Sequence, residues 1–210
     1  GFQSPRPASE FDQELWPKPI KWVNFPGSIE RAKKLGTSRI RSCEAEYIAD
    51  TLKKYMEMPE GQSLSYGVIT FYSGQRDLIS RKLKEKLGNR ADEIRVGSVD
   101  AFQGMEFDVI FLSVVRCKTG DITEDCLKLE KDNSLCGEQS GEFQNWSETR
   151  QKIGLKYYGF LISENRLCVA LSRQKKLLIV VGDADAFSKG EWGRIAQECV
   201  PAMKQLVELC

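Results

Sequence analysis

Histidine is absent from all 210 residues. That removes Ser-His-Asp and Cys-His catalysis, and every metal site that needs an imidazole. An excess of charge of either sign is missing too. Lys and Arg number 31 against 30 Asp and Glu, for a formal net charge of +1. With no global basic field, any contact with nucleic acid has to be a local groove rather than a charged surface. No apolar run approaches the roughly 18 residues of a membrane span, so no membrane partner is expected. Gly1 to Pro19 has no hydrophobic signal core. There are seven cysteines, but the count is odd and no pair is spaced C-x-x-C. That pattern fits free thiols and an intracellular protein, with nucleus or cytoplasm left open. Cys117, Cys126 and Cys136 fall in one stretch, but without a fourth close ligand no metal site is assigned. Chemistry, if any, falls to carboxylates, arginines, lysines, backbone dipoles or a cofactor.

The hydrophobic share is 41%, enough for one sizeable core. Gly1 to Pro19 carries four prolines and reads as an extended lead-in, packed by Phe11 and Trp16. Ile20 to Phe25 alternates and reads as a short strand. Residues 28–41 are basic and irregular. Ser42 is the expected N-cap of a helix whose apolar positions are Ala45, Ile48, Leu52 and Tyr55. Strands follow at 66–71, 94–98, 107–115 and 177–182. The first two of these are separated by a helix bearing Leu78, Ile79, Leu83 and Leu87. Residues 117–157 lack periodicity and form a long connection, with Phe143 and Trp146 as anchors. Ser163 is the expected cap of a short helix carrying Asn165, Arg166, Ala170 and Arg173. An amphipathic helix from Glu191 to Leu209, broken at Pro201, closes the chain. Uniformly apolar strands alternating with helices predict an α/β domain, its mostly parallel sheet covered by helices on both faces. Such sheets bind ligands at the carboxyl ends of their strands. The turns after Phe71 and Ser98, and the helix before Leu177, are therefore candidate site walls.

Three segments carry a more specific pattern. The first is Gly67 to Arg76, reading GVITFYSGQR. The second is Ser98 to Glu106, SVDAFQGME, with Leu112 to Arg116 behind it, LSVVR. The third is Gly159 to Lys176, GFLISENRLCVALSRQKK, running into LLIVVGD. Together, over roughly residues 38–185, they resemble motifs IV, V and VI of superfamily 1 helicases. The likeness is to the branch of the nonsense-mediated-decay helicase and senataxin. That resemblance implies a RecA-like, P-loop NTPase-type domain. In these enzymes two such domains hold ATP and Mg²⁺ between them. This sequence has no G-x-x-x-x-G-K followed by Ser or Thr, and its one Asp-Glu pair, Asp92-Glu93, leads into a strand. It therefore looks like the second motor domain, spanning 38–210, preceded by a lead-in over 1–37 and carrying an insertion at 117–157. Alone it is expected to be inactive. Its expected partners are the first RecA-like domain and single-stranded RNA or DNA.

The resemblance also implies roles. Arg173 and Arg76 would be the arginines that stabilise charge on the transferred phosphoryl group. Gln75, Gly104, Glu106 and Arg166 would face the nucleotide. Thr70, Tyr72, Ser98, Val99 and Arg116 would hold the nucleic-acid backbone. Asp100 orients its turn. The sequence departs from the family pattern at Phe71 (usually proline), Cys168 (asparagine), Ser172 (threonine) and Gln174 (alanine). Two other readings compete with this one: a binding module that keeps the fold without catalysis, and a different nucleotide-dependent α/β enzyme whose site lies within this chain.

Overall fold

The computed structural model of the protein describes residues 18–135 and 148–210. Phe11, Trp16, Cys136, Phe143 and Trp146 lie outside the described residues. A five-stranded sheet is built from β1 (Ile20–Asn24), β4 (Tyr66–Thr70), β5 (Arg95–Ser98), β6 (Phe107–Ser113) and β7 (Gln174–Gly182). Its order is β1-β7-β6-β4-β5 and every pairing is parallel. Helices cover both faces, giving the expected α/β, RecA-like architecture.

The period-two alternation of a strand decides which side chain meets which layer. Val68, Val109, Phe111, Ile179 and Val181 point to one face, which α1 (Ser42–Glu57) and α2 (Ser73–Leu87) cover with Ile48, Leu52, Ile79 and Leu83. Ile69, Ile110, Leu112, Leu178 and Val180 point to the other. That second face is covered by α5 (Glu164–Ala170), α7 (Gly190–Cys199) and α8 (Pro201–Leu209). A short helix, α6 (Asp185–Ser188), leads into α7. As the sequence suggested, Pro201 separates the last two helices; it stands at the first position of α8, where its missing N–H costs no bond.

Several boundaries differ from the sequence reading, each for a local reason. The expected cap Ser42 is already helical, and Arg41 is the N-cap residue. A donor of the first turn, the Cys43 N–H, is met by Glu30 Oε2 at 2.7 Å, a carboxylate from the preceding segment. Residues 28–41 are not irregular throughout: β2 (Lys33–Leu35) and β3 (Ser38–Ile40) form an antiparallel hairpin. Gly36, at φ +57°, makes its turn. The strand expected to reach Val115 stops at Ser113, because Val115 turns to φ +66°.

Residues 117–157 are not structureless either. They contain α3 (Thr123–Leu135) and α4 (Glu148–Tyr157). Ile122, Cys126, Leu129, Ile153 and Tyr157 enter the main core. Asp125 ties the two helices together by accepting from Lys156 Nζ and Tyr157 Oη, both at 2.6 Å. Those hydrogen bonds hold its carboxyl down to about 2. Among the described residues no helix is long and apolar enough to cross a membrane.

Candidate functional site

The carboxyl ends of β4 and β5 open into a groove of about 380 Å³. All three walls expected from the sequence contribute to it. The turn after β4 supplies Phe71, Tyr72, Ser73 and Arg76; the turn after β5 supplies Ser98, Val99 and Asp100; Arg166 comes from α5. Thr37 and Ser38 of the hairpin and Phe160 complete the lining.

Packing fixes the first of these walls. Ser38 Oγ accepts the Gly74 N–H at 2.9 Å, so the hairpin is pinned to the first turn of α2. A side chain at position 74 would press on Leu35, Ser38 and Ile40, each 3.2 Å from an added Cβ. Arg76 sits one helical step on, with its side chain 43% exposed and its guanidinium held by neighbouring Asp77 at 2.7 Å. Such an exposed pair contributes little and gives way readily to a better anion.

The second wall is aromatic and basic. Phe160, 47% exposed, stands at the rim in a 3-10 turn (Gly159–Ile162). Its ring lies 5.8 Å from that of Tyr72, and the Arg166 guanidinium lies over it at 5.6 Å. Arg166 also donates to Asp100 Oδ2 at 2.8 Å, tying α5 to the turn after β5. Rings, guanidinium groups and hydroxyls in one open groove suit bases and phosphates of a single strand.

A second cluster forms at the amino ends of β6 and β7. Gly104 takes φ +76° with open space on the side where a Cβ would stand, and Glu106 is exposed. Phe107 pairs with Gln174, and the Phe107 N–H donates to the Arg173 carbonyl at 3.0 Å. The Gly104–Glu106 turn and Arg173 therefore adjoin. Arg173 donates to Ser172 Oγ at 2.8 Å and meets no carboxylate among the described residues. Gln174 Oε1 beside it is buried without a partner among the described residues. The helix α5 runs between the two clusters, with Arg166 in its first turn and Arg173 just past its end, about 10 Å along the chain axis.

Five expected site residues are buried: Tyr72 and Val99 still line the groove, but Gln75, Arg116 and Thr70 do not. Gln75 is fully buried. Its Nε2 donates to the Arg41 carbonyl and to Ser113 Oγ, both at 3.0 Å, and its Oε1 accepts the Arg41 N–H at 2.8 Å. With both donors spent and the group fully buried, this amide is not available to a nucleotide. Arg116 is turned inward as well. Its Nε donates to Tyr72 Oη, and its Nη1 to the carbonyls of Lys156 and Tyr157 at 3.0 and 3.2 Å. It caps the carboxyl end of α4 instead of holding a strand. Thr70 is wholly buried, and its Oγ1 finds no partner among the described residues. Burial decides these cases, and no motif records it.

The clasp of Arg116 leaves no room at Gly159. A Cβ there would overlap the Arg116 guanidinium and the Tyr72 hydroxyl, and the backbone sits at φ +57°. Gly159→Ala is expected to cost about 1–3 kcal/mol. Thermal unfolding of the whole protein, read by circular dichroism, checks this; an unchanged midpoint would contradict it.

Sequence reasoning missed the group under the groove. Arg41 is fully buried. It donates to Glu44 Oε1 at 3.0 Å and to the carbonyls of Phe25, Pro26 and Glu30. Glu44, also fully buried, accepts from Ser113 Oγ at 2.7 Å and from the Val115 N–H at 3.0 Å. Burial pushes its carboxyl up to about 7, against the pull of the Arg41 charge and these donors. Burial also works against the Arg41 charge, but the carboxylate beside it outweighs that and its pKa is raised. One signal was present: Glu44 lies four residues before Ile48 and eight before Leu52, on the apolar stripe of α1.

A family model described as an AAA domain matches residues 3–185. The chain is 33% identical over 183 residues to "Regulator of nonsense transcripts 1" of Dictyostelium discoideum, covering 83% of this chain and 11% of the relative. It is 34% identical over 116 residues to "Helicase required for RNAi-mediated heterochromatin assembly 1" of Schizosaccharomyces pombe, covering 55% and 8%. It is 30% identical over 193 residues to "Putative helicase mov-10-B.1" of Danio rerio, covering 85% and 16%. The chain belongs to this AAA-domain family, among the superfamily 1 helicases of the nonsense-mediated-decay type. This helicase domain spans between 8% and 16% of the length of these relatives.

Proposed function

We propose that this helicase domain is the second of two RecA-like motor lobes in an ATP-dependent helicase that moves along single-stranded RNA or DNA inside the cell. The observation that carries the reading is the groove at the carboxyl ends of β4 and β5. It gathers two guanidinium groups, three aromatic rings and the hydroxyls of Thr37, Ser38, Ser73 and Ser98. Sequence-independent tracking of a strand needs that set: rings for any base, cations and hydroxyls for any phosphate.

The described residues hold no cluster of three or more Cys, Asp or Glu fit for a metal ion. The donor set does not suit Mg²⁺, and the reading assigns the metal to the other lobe. Toward ATP, this lobe offers Arg173, free of any carboxylate among the described residues, with Glu106 and the open backbone at Gly104 beside it. A guanidinium delivered by closure of the two lobes neutralises charge that develops on the transferred phosphoryl oxygens. Arg76 lines the strand groove and not the Arg173 cluster, so its proposed phosphate role depends on how the two lobes close.

Phe160 is the proposed stacking platform for a base. In the whole protein, Phe160→Ala is expected to weaken binding of a fluorescent single-stranded oligonucleotide by about ten-fold. Arg166→Ala is expected to weaken it comparably and to flatten its salt dependence. Anisotropy titrations that show wild-type affinity for both variants would sink the strand-groove reading.

A further inference from the structure

Two lines of contact start from the Glu44 carboxylate: one reaches Gln75, the chain neighbour of Arg76, and the other reaches Tyr72 by way of Val115 and Arg116. Along the first, Ser113 Oγ donates to Glu44 and accepts from Gln75 Nε2 at 3.0 Å; the next residue of α2 is Arg76. Along the second, Glu44 takes the Val115 N–H with both oxygens, at 3.2 and 3.0 Å. Val115 is β-branched and at φ +66°, a conformation that strains such a residue. The Arg116 N–H returns to the Val114 carbonyl at 2.7 Å, closing a tight three-residue turn around it. That turn sends Arg116 back beneath the sheet to hold the Tyr72 hydroxyl. Arg76 and Tyr72 line the same groove.

We propose that Glu44 is a positioning residue for the groove: one buried carboxylate that sets Arg76 and Tyr72 together, through Ser113 and Gln75 on one side and Val115 and Arg116 on the other. The proposal rests on reading the groove as the strand-binding surface. Nothing exposed competes for this role, because Glu44 touches no solvent. A strained turn persists only while its surroundings hold it, and here the Glu44 acceptor is part of that hold.

The groups facing Glu44 leave it as the one that changes charge near neutrality. Arg41, before α1, is held positive by Glu44 itself. Burial pushes the neighbouring Cys43 thiol up to about 12 and raises Cys117 after β6. Glu30 is kept below the usual carboxylate range: burial opposes this, but the Cys43 amide and thiol and the Ser42 amide prevail. Towards α2 and β6 it meets the neutral Gln75 and Ser113. Ionisation of Glu44 strengthens its hold on Ser113 Oγ and the Val115 N–H, so strand affinity is expected to rise between about pH 6 and about pH 8.

The test uses the whole protein and two readouts. In oligonucleotide titrations, Glu44→Gln is expected to bind about ten-fold more weakly than wild type at about pH 8 and about equally at about pH 6. Ser113→Ala leaves the ion pair intact and cuts one line; a loss of about three-fold is expected. It stands in if Glu44→Gln fails to fold. In parallel, amide hydrogen exchange of segments 72–76 and 114–117 is followed, and both are expected to lose protection together in either variant. Exchange that stays at wild-type levels, or strand affinity that falls only in proportion to a lowered unfolding midpoint, would overturn the positioning role. Coupled exchange in a protein that binds no strand would instead overturn the reading of the groove, leaving the linkage itself standing.

Discussion

Arg173→Ala is expected to lower steady-state ATP turnover of the whole protein by about 10³-fold, with little change in the concentration of ATP at half-maximal rate. An arginine that meets the triphosphate only as charge develops contributes to the transition state and not to ground-state binding. The local structure fits that use: the guanidinium is held by one hydroxyl, Ser172 Oγ, so no carboxylate has to be displaced among the described residues. Arg173→Lys is not expected to rescue, because a point ammonium lacks the planar, bidentate fork. Arg81→Ala serves as the control. Its side chain is 66% exposed on α2 and pairs loosely with Glu85 at 3.9 Å, and turnover should stay near wild type. Arg76→Ala sorts the roles of the groove. A fall in turnover at constant strand affinity assigns Arg76 to ATP, while a fall in affinity assigns it to the strand. Near-normal turnover for Arg173→Ala would remove the motor-lobe reading at its centre.

The second large effect is on stability. Arg41→Met strands a buried carboxylate and frees three backbone carbonyls, those of Phe25, Pro26 and Glu30. Removing one partner of a buried pair costs about 3–5 kcal/mol. For a unit of this size that is a fall in midpoint of roughly 6–20 °C. The dependence on pH has a definite sign. The folded pKa of Glu44 is raised, to about 7. Its favourable contribution is complete below the unfolded carboxylate range and is lost as pH rises through the folded value. Without Arg41 the folded value climbs further, so the loss continues above pH 7 in the variant after it has ended in wild type. The deficit of Arg41→Met should therefore be larger at about pH 8 than at about pH 6. Pairing it with Glu44→Leu should recover only the part of the loss due to the stranded charge, because the three carbonyls and the Val115 N–H stay without their partners. Thermal unfolding across that range checks both statements, and a deficit that shrinks with pH would refute the assignment.

The strands were legible because burial on both faces demands unbroken apolar runs, and Val109 to Leu112 and Leu177 to Val181 are such runs. The groove walls were legible because parallel sheets bind ligands at the carboxyl ends of their strands; the Gly104–Arg173 cluster, at the amino ends of β6 and β7, does not follow from that rule. What escaped notice depends on partners distant in sequence. Nothing around Gln75 tells that its amide is claimed by a backbone 34 residues earlier. Nothing around Arg116 tells that the end of α4, 40 residues on, takes its guanidinium. The hairpin β2–β3 has three-residue strands with no apolar alternation. Within 117–157 a signal existed and was passed over: Ile122, Cys126 and Leu129 follow helical spacing, but charged residues surround them.

Among the described residues, β1 is an edge strand that pairs with β7 alone, Ile20 opposite Leu178 and Asn24 opposite Gly182. As the ribosome emits the chain, this first strand has no template until nearly the whole domain has emerged. Its docking is then a late, long-range closure, after the β6–β4–β5 centre has had time to assemble. A pause in synthesis shortly before Leu177 would leave a half-built sheet with its β6 edge bare.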